Sequence, residues 1–334
     1  MQQRKMTMKE ALNLALDQAL AKSERVFLLG EDIADPGGGI VGVTAGLSTK
    51  YGHDRVIDTP ISEAAIVGTA IGAALDGRIP VAEIMIMDFI GIAIDQIVNH
   101  AAKMRYMTCG RTTSPITVRV AVLSGMGTGA THSQSLEGWF MGIPGLKVVI
   151  PSSPFDAKGL LTTAIFDEDP VLFIETVKLL GTRGDVPVDE YSIPFGQANI
   201  VRSGTDVTIV TYGRGVPDSL AAATALQAEG VSAEVIDLRT LVPMDTPTIL
   251  ESVARTGRAV VVTHAVRFGG PGAEISALIN ENLIYELTAP VARVGAPFTP
   301  IPSASVLEAA HAPDPQRIAA AVRQTVGAHA TTGD

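Results

Sequence analysis

The feature that most constrains the fold is a regular alternation of two hydrophobic patterns along nearly the whole chain. Short runs rich in valine, isoleucine and leucine are separated by longer stretches whose apolar residues recur at helical spacing. The predicted strands cover residues 26–29, 55–57, 80–86, 116–123, 146–150, 171–175, 207–211, 233–238, 259–263 and 291–294. The main predicted helices cover residues 64–75, 90–107, 154–166, 218–228, 246–254 and 273–287. This alternation is typical of parallel sheets with helices on both faces and predicts an α/β fold.

The alternation fades between residues 176 and 205, where several glycines, prolines and charged residues appear. It then restarts cleanly at residue 207. A stretch of this composition is typical of a linker, so we expect two doubly wound domains. The expected division is a first domain at 1–178, a linker at 179–204, a second domain at 205–328 and a flexible tail at 329–334.

The start of the first helix carries a capping signal. Thr7 and Glu10 stand three residues apart, immediately before apolar residues at helical spacing. This arrangement matches a capping box, in which each side chain accepts a hydrogen bond from the other residue's backbone N–H. We therefore predict that a helix begins after Thr7.

Charge and composition exclude several classes of protein. The 334-residue chain has a formal net charge of −10, which disfavours nucleic acid or an anionic membrane as the main partner. Its most apolar helical stretch, residues 64–75, is far shorter than the ~20 residues that a bilayer requires. The single cysteine, Cys109, cannot form an intramolecular disulfide, so we expect a cytoplasmic protein.

Several common catalytic motifs are absent from the sequence. It contains no G-x-x-x-x-G-K-[ST], no H-E-x-x-H and no G-x-S-x-G. The glycine clusters at 125–129 and 269–272 miss the spacing of a dinucleotide-binding loop, and close backbone approach explains them better.

Glu63 stands where a predicted strand gives way to an apolar helix. It is either a helix N-terminal charge, stabilised by the helix dipole by about 0.3–1 kcal/mol, or a buried acid that faces a ligand. Small molecules bind at the carboxyl edge of open α/β sheets, and this edge is where the residue lies.

His132 follows the first glycine cluster and precedes Ser133, Gln134 and Ser135. A histidine on a flexible loop at a strand end is placed to act as an acid, a base or a hydrogen-bond donor. The alternatives are a structural or a metal-binding histidine, although no second histidine stands nearby at ligand spacing. Phe89, beside Asp88, is either an aromatic residue that contacts a ligand or a core residue. The pair Asp167 and Asp169 is either an oxygen site for a hard cation or a solvated helix end.

Eight short runs, taken in order, resemble one known family over nearly the whole chain. They are DTPISE at 58–63, DF at 88–89, DQIVN at 95–99, AAK at 101–103, HSQS at 132–135, PGLKVV at 144–149, DAKGLL at 156–161 and DLRT at 237–240. Together they resemble the beta subunit of the thiamine-diphosphate-dependent component of 2-oxo acid dehydrogenase complexes. Residues 44–52, 61–75 and 296–300 look most like acetoin dehydrogenase beta subunits.

The resemblance implies a pyrimidine-binding domain followed by a transketolase C-terminal-like domain. It implies that Glu63 hydrogen-bonds the pyrimidine ring of thiamine diphosphate and so favours the tautomer that activates the cofactor. Phe89, Ile61 and Met85 match residues beside that ring. His132 matches a histidine near the reacting carbon that helps to transfer the acyl group to a lipoyl arm.

The family holds the diphosphate and Mg²⁺ through a G-D-G motif, which this sequence lacks. The resemblance therefore implies an alpha subunit that carries this motif, an alpha-two-beta-two heterotetramer and a lipoylated acyltransferase core as a further partner. It also implies a potassium site. The matching positions are Ile116, Ala164, Ile165, Asp167 and Asp169.

Two other functions are compatible with the fold. One is a split transketolase-like enzyme, which would use sugar phosphates, but the sequence shows no Arg and His cluster near His132. The other is a non-catalytic scaffold subunit, against which the joint presence of Glu63, Phe89 and His132 speaks. Two departures from the family pattern, at 262–266 and Thr288, lie in the second domain and bear on partners more than on chemistry.

Overall fold

The computed structural model describes residues 2–327, so the expected tail at 329–334 lies outside it. The strands are β1 (Gln3–Thr7), β2 (Val26–Gly30), β3 (Val56–Asp58), β4 (Ile79–Ile84), β5 (Thr117–Val122), β6 (Lys147–Val149), β7 (Val171–Thr176), β8 (Arg183–Pro187), β9 (Asn199–Arg202), β10 (Val207–Thr211), β11 (Ala233–Asp237), β12 (Thr240–Val242), β13 (Ala259–Val266) and β14 (Ala292–Ala296). The α-helices are α1 (Met8–Lys22), α2 (Leu47–Tyr51), α3 (Glu63–Leu75), α4 (Met104–Met107), α5 (Gly138–Met141), α6 (Pro154–Ile165), α7 (Gly215–Gln227), α8 (Thr246–Thr256), α9 (Pro271–Leu283), α10 (Ser305–His311) and α11 (Pro315–Gly327).

Two mainly parallel sheets, each flanked by helices, confirm the predicted α/β fold class. The first sheet has seven strands in the order β12-β6-β7-β5-β4-β2-β3, and its strands are parallel except for the antiparallel edge strand β12. The second sheet has five strands in the order β14-β13-β10-β11-β9, with β9 as its antiparallel edge. Both sheets carry helices on their faces, as parallel sheets require.

The predicted capping box is present. Thr7 Oγ1 accepts a hydrogen bond from the Glu10 backbone N–H at 3.1 Å, and the Glu10 carboxylate accepts one from the Thr7 backbone N–H at 2.6 Å. The apolar residues of α1, spaced three and four apart, are buried on one face. That face packs against α6 and covers one side of the first sheet.

A buried ion cluster lies in the middle of the first sheet. Arg119 of β5 is 2% exposed, and its guanidinium contacts Glu83 of β4 at 2.5 Å and Glu175 of β7 at 2.7 Å. A second nitrogen of the guanidinium donates to the other oxygen of Glu175 at 2.9 Å. These charge-assisted hydrogen bonds connect the three adjacent central strands to one another inside the core.

The structure corrects the helix predicted at 90–107. This segment consists of 3₁₀ turns at Met87–Ile92 and Ala101–Lys103, a π-helical turn at Gln96–His100 and the short helix α4. The backbone N–H of Ala101 donates to the carbonyl of Gln96, five residues earlier, so the helix is widened at this point. Apolar periodicity predicts the buried positions of such a segment and not its hydrogen-bond pattern.

The segment expected as a linker at 179–204 contains two strands. β8 pairs with β1, a strand that the apolar pattern also does not predict, and β9 joins the edge of the second sheet. Both strands are short and partly exposed, so they lack the hydrophobic run that signals a buried strand. Among residues 2–327, no helix is both long and apolar enough to span a bilayer.

Candidate active site

The predicted catalytic residues lie at one edge of the first sheet, where β2, β3, β4 and β5 all end. The loop after β3 leads to Glu63, and the turn after β4 carries Met85 and Phe89. The glycine loop after β5 leads to His132. Parallel strands bring their carboxyl ends together, and the fold therefore places these residues where open α/β sheets bind ligands.

Glu63 is the first residue of α3 and is only 4% exposed. The preceding Ser62 makes no capping hydrogen bond. Ile61, two residues earlier, is 83% exposed and lies outside the core of this chain. Glu63 is thus an acid at a helix N-terminus and is also buried.

A second buried acid, Glu31, lies at the same edge, directly after β2, and the sequence reading missed it. Its Oε1 atom is buried and has no hydrogen-bond partner within residues 2–327. Burial raises the pKa of Glu31, and the charge of Glu63 raises it further. The signal that could have found it is an acid that directly follows a fully buried strand.

Phe89 and His132 are brought together by the fold. Their ring centroids lie 5.3 Å apart in an edge-to-face arrangement, and Phe89 shares an apolar cluster with Met85. Thr131 Oγ1 lies 2.9 Å from His132 Nδ1. His132 therefore has one ring nitrogen engaged by its neighbour in the chain, and its ring is in contact with an aromatic side chain.

A contact between Asp88 and Gln134 fixes the part of the loop that follows His132. The Asp88 carboxylate accepts hydrogen bonds from Gln134 Nε2 at 2.7 Å and from the Gln134 backbone N–H at 3.3 Å. Burial raises the pKa of Asp88, while the bonds from Gln134 oppose the shift. This contact joins the 3₁₀ turn that carries Phe89 to the segment that carries His132.

Polar residues of the second domain, together with Lys178 of the first, lie beside the glycine loop, and the sequence pattern does not single them out. A Cβ atom at Gly125 would lie 2.6 Å from Arg214 Nη1 and 2.9 Å from Lys178 Cε. His264 Nε2 lies 3.0 Å from Asp218 Oδ2, and burial lowers the pKa of His264. Arg214 and His264 line a small cavity together with Val122, Ser124 and Thr176 of the first sheet and its loops.

The predicted potassium residues lie at the opposite edge of the first sheet: Ile116 precedes β5, Ala164 and Ile165 end α6, and Asp167 and Asp169 lie between α6 and β7. Both carboxylates already have cationic partners: Asp167 contacts Lys147 Nζ at 2.6 Å, and Asp169 contacts Arg105 Nε at 2.6 Å. The carbonyl of Ile116 accepts from the Val171 backbone N–H at 3.0 Å. Residues 2–327 contain no cluster of three His, Cys, Asp or Glu side chains suited to a metal ion.

The fold and the site define a protein of the transketolase type. Residues 4–182 match the family described as the transketolase pyrimidine-binding domain, and residues 196–318 match the transketolase C-terminal domain. A solved structure titled as a split-gene transketolase in an inactive beta4 tetramer superposes with a TM-score of 0.78 at 23% identity, covering 96% of this chain and 98% of that one. At this identity the likeness shows the fold alone.

Curated relatives refine this class. The chain is 48% identical over 332 residues to the acetoin:2,6-dichlorophenolindophenol oxidoreductase beta subunit of Cupriavidus necator, covering 97% of this chain and 98% of that one. It is 42% identical to the 2-oxoisovalerate dehydrogenase beta subunit of Bacillus subtilis, with 94% and 97% covered. It is 46% identical to the pyruvate dehydrogenase E1 beta subunit of Acholeplasma laidlawii, with 95% and 97% covered. The chain belongs to the family of acetoin and 2-oxo acid dehydrogenase beta subunits.

Membership of this family implies thiamine diphosphate as the cofactor. The residues at the sheet edge fit the pyrimidine half of that molecule. The orphaned Oε1 of Glu31 and the buried carboxylate of Glu63 offer polar contacts, and Met85 and Phe89 offer apolar ones. The diphosphate half finds no such fit here, because the chain has no G-D-G motif.

Proposed function

We propose that this chain is the beta subunit of a dehydrogenase that cleaves a 2-oxo acid or acetoin oxidatively and transfers the acyl group to lipoamide. The observation that carries the proposal is the placement of Glu63, Phe89 and His132 after strands that end at the same carboxyl edge of one sheet, with the rings of Phe89 and His132 in contact, in a chain of this family. When bound, thiamine diphosphate supplies a nucleophilic carbon and an electron sink. This chain would supply the groups that hold and tune it.

Glu63 is proposed to hold a proton against the pyrimidine ring nitrogen. Its position at the first turn of α3 and its exclusion from water strengthen a hydrogen bond to a ring nitrogen, because no solvent competes for the carboxylate. Phe89 and Met85 would pack beside the ring. Ile61, which is exposed in this chain, would be covered by the cofactor and the partner subunit.

His132 is proposed to assist acyl transfer to the lipoyl arm. Its ring contacts Phe89 and Thr131, and the glycine loop that precedes it contacts Glu308 of the second domain. An imidazole at this place can donate a proton to the sulfur that leaves as a thiolate when the lipoyl disulfide opens and its other sulfur takes the acyl group.

The missing diphosphate motif supports a shared active site. We propose an alpha subunit that carries the motif and holds Mg²⁺, in an alpha-two-beta-two heterotetramer that serves a lipoylated acyltransferase core in the cytoplasm. We also propose a structural K⁺ site that uses mainly backbone carbonyls around Ile116, Ala164 and Ile165, since Lys147 and Arg105 already occupy the carboxylates of Asp167 and Asp169. The division into domains at 1–178 and 205–328 is part of the same proposal.

The test begins with purification of this chain from its native cell and mass spectrometry of the chains that accompany it. The expected partner carries G-D-G, and the purified complex should reduce 2,6-dichlorophenolindophenol when supplied with thiamine diphosphate, Mg²⁺ and one member of a panel of pyruvate, acetoin and branched-chain 2-oxo acids. A chain that purifies as a homodimer without a partner, and that gives no turnover with the panel, would overturn the proposal.

A further inference from the structure

Glu308 of α10 lies in the second domain but is 4% exposed, because its carboxylate is inserted against the glycine loop of the first domain. One carboxylate oxygen accepts a hydrogen bond from the Gly125 backbone N–H at 2.7 Å. The other accepts from the Gly127 backbone N–H at 2.8 Å. Glu308 is more than 180 positions away from both glycines in the chain, so this contact exists only in the folded two-domain structure.

The loop has the geometry of an anion-binding backbone. Gly125, Gly127 and Gly129 all have positive φ, at 89°, 76° and 79°, which glycine adopts without strain. In such a conformation alternate backbone N–H groups converge on one point, where a carboxylate can accept both. Charged acceptors make stronger hydrogen bonds than neutral ones, so Glu308 fixes the loop more firmly than a neutral side chain could.

The same loop is enclosed on its other sides. A Cβ atom at Gly129 would lie 3.3 Å from Ser303 Cβ, which belongs to the segment that precedes α10. Arg214 and Lys178 contact the loop at Gly125. The loop is therefore in contact with Ser303, Arg214 and Lys178 as well as with Glu308. Ser303 and Arg214 belong to the second domain.

The loop passes this constraint to His132 through short contacts. The His132 backbone N–H donates to the Gly129 carbonyl at 3.3 Å, and Thr128 Oγ1 donates to the His132 carbonyl at 3.0 Å. Thr128 Oγ1 also lies 2.6 Å from Ser133 Oγ. The backbone of His132 is thus bonded to residues that directly follow the amides held by Glu308.

We propose that Glu308 is a positioning residue for His132: the second domain holds the glycine loop through its carboxylate and so sets where the imidazole stands during acyl transfer. This inference rests on the function proposed above. It adds a role for the second domain, since a residue of that domain controls the loop that carries the histidine.

The test compares Glu308→Gln with Glu251→Gln in the assembled enzyme. Gln at position 308 keeps the size of the side chain but replaces one acceptor oxygen with a donor that faces a backbone N–H. Glu251 is an exposed glutamate of α8 and provides the matched control. Each complex is assayed for dye reduction, for acylation of a free lipoyl domain with kcat and KM separated, and for amide hydrogen exchange.

In Glu308→Gln, the amides of residues 125–133 should exchange about tenfold faster, and kcat of lipoyl acylation should fall about tenfold. Dye reduction should stay within about twofold of the wild type, and Glu251→Gln should match the wild type in all three measurements. Unchanged loop exchange would overturn the proposal, as would faster exchange with unchanged acylation or equal losses in both reactions. Wild-type enzyme that reduces no dye would refute the proposed function, and hydrogen exchange alone would then decide whether Glu308 holds the loop.

Discussion

Replacing Arg119 with Met tests whether the ion cluster of the first sheet is a source of stability that depends on pH. The substitution leaves Glu83 and Glu175 facing each other in the core, with side chains only 10% and 2% exposed. Breaking a buried ion pair by removing one partner costs about 3–5 kcal/mol, since a charge remains buried without compensation. We therefore expect Arg119→Met to lower the free energy of unfolding by about this amount at pH 8.

The loss should shrink as the pH falls. Burial already raises the pKa of Glu175, and Arg119 opposes the shift, so removal of the guanidinium raises this pKa further. A carboxyl whose pKa is higher in the folded state binds more protons folded than unfolded, and its destabilising effect therefore weakens from the raised pKa down to the unfolded value. The variant should regain stability between pH 8 and pH 5.5.

Urea unfolding followed by circular dichroism, at matched protein concentration, measures both effects. Lys158→Met is the control, because Lys158 is also buried but donates to the carbonyls of Pro187 and Asp189, each at 2.7 Å. It leaves no buried carboxylate pair and should show no recovery at low pH. Equal losses for Arg119→Met at pH 8 and pH 5.5, or no loss at all, would refute the reasoning.

Three further predictions concern the site and the second domain. Glu63→Gln should abolish dye reduction in the assembled complex without loss of subunits, because it removes the proton-holding carboxylate; near-normal turnover would contradict the role. His132→Ala should slow acylation of the lipoyl domain at least tenfold more than dye reduction, as separate assays of the two steps would show. Burial raises the pKa of Asp237 to about 7, so stability falls as the pH rises from about 4 to about 7. Asp237→Asn should flatten this slope in urea unfolding, and an unchanged slope would assign the titration to another group.

The parts of the fold that the sequence predicts are those with a long hydrophobic signal. The central strands β5 and β7 are buried along their whole length, and both are evident as apolar runs. The strands β1, β8 and β9 are short and partly exposed, and β12 is only three residues long, so each of these edge strands is defined by its tertiary pairing. Local pattern cannot reveal a strand whose only hydrogen-bonding partner is distant in the chain.

The candidate site likewise contains some residues that the sequence predicts and others that it does not. Glu63 and His132 could be found because each breaks an otherwise apolar or glycine-rich context, and family resemblance then proposed their roles. Glu31 gives only a weak signal, an acid directly after a buried strand, and Glu308 gives none, since an acid after a strand or within a short helix is common on protein surfaces. Their burial depends on what the fold packs over them, and only the three-dimensional structure contains that information.

The edge strand β12 has a consequence for how the molecule is made. Thr240 pairs with Val149 of β6, so the last strand of the first sheet comes from the second half of the chain. During synthesis, β6 must remain an open edge until about ninety further residues have been added, and an open edge is prone to pair with other chains. Chains truncated before residue 240 should therefore aggregate even though they contain every residue of the first domain. The two domains form a single unit for folding, and a gene split at the junction between them would have to restore this strand by association of the two products.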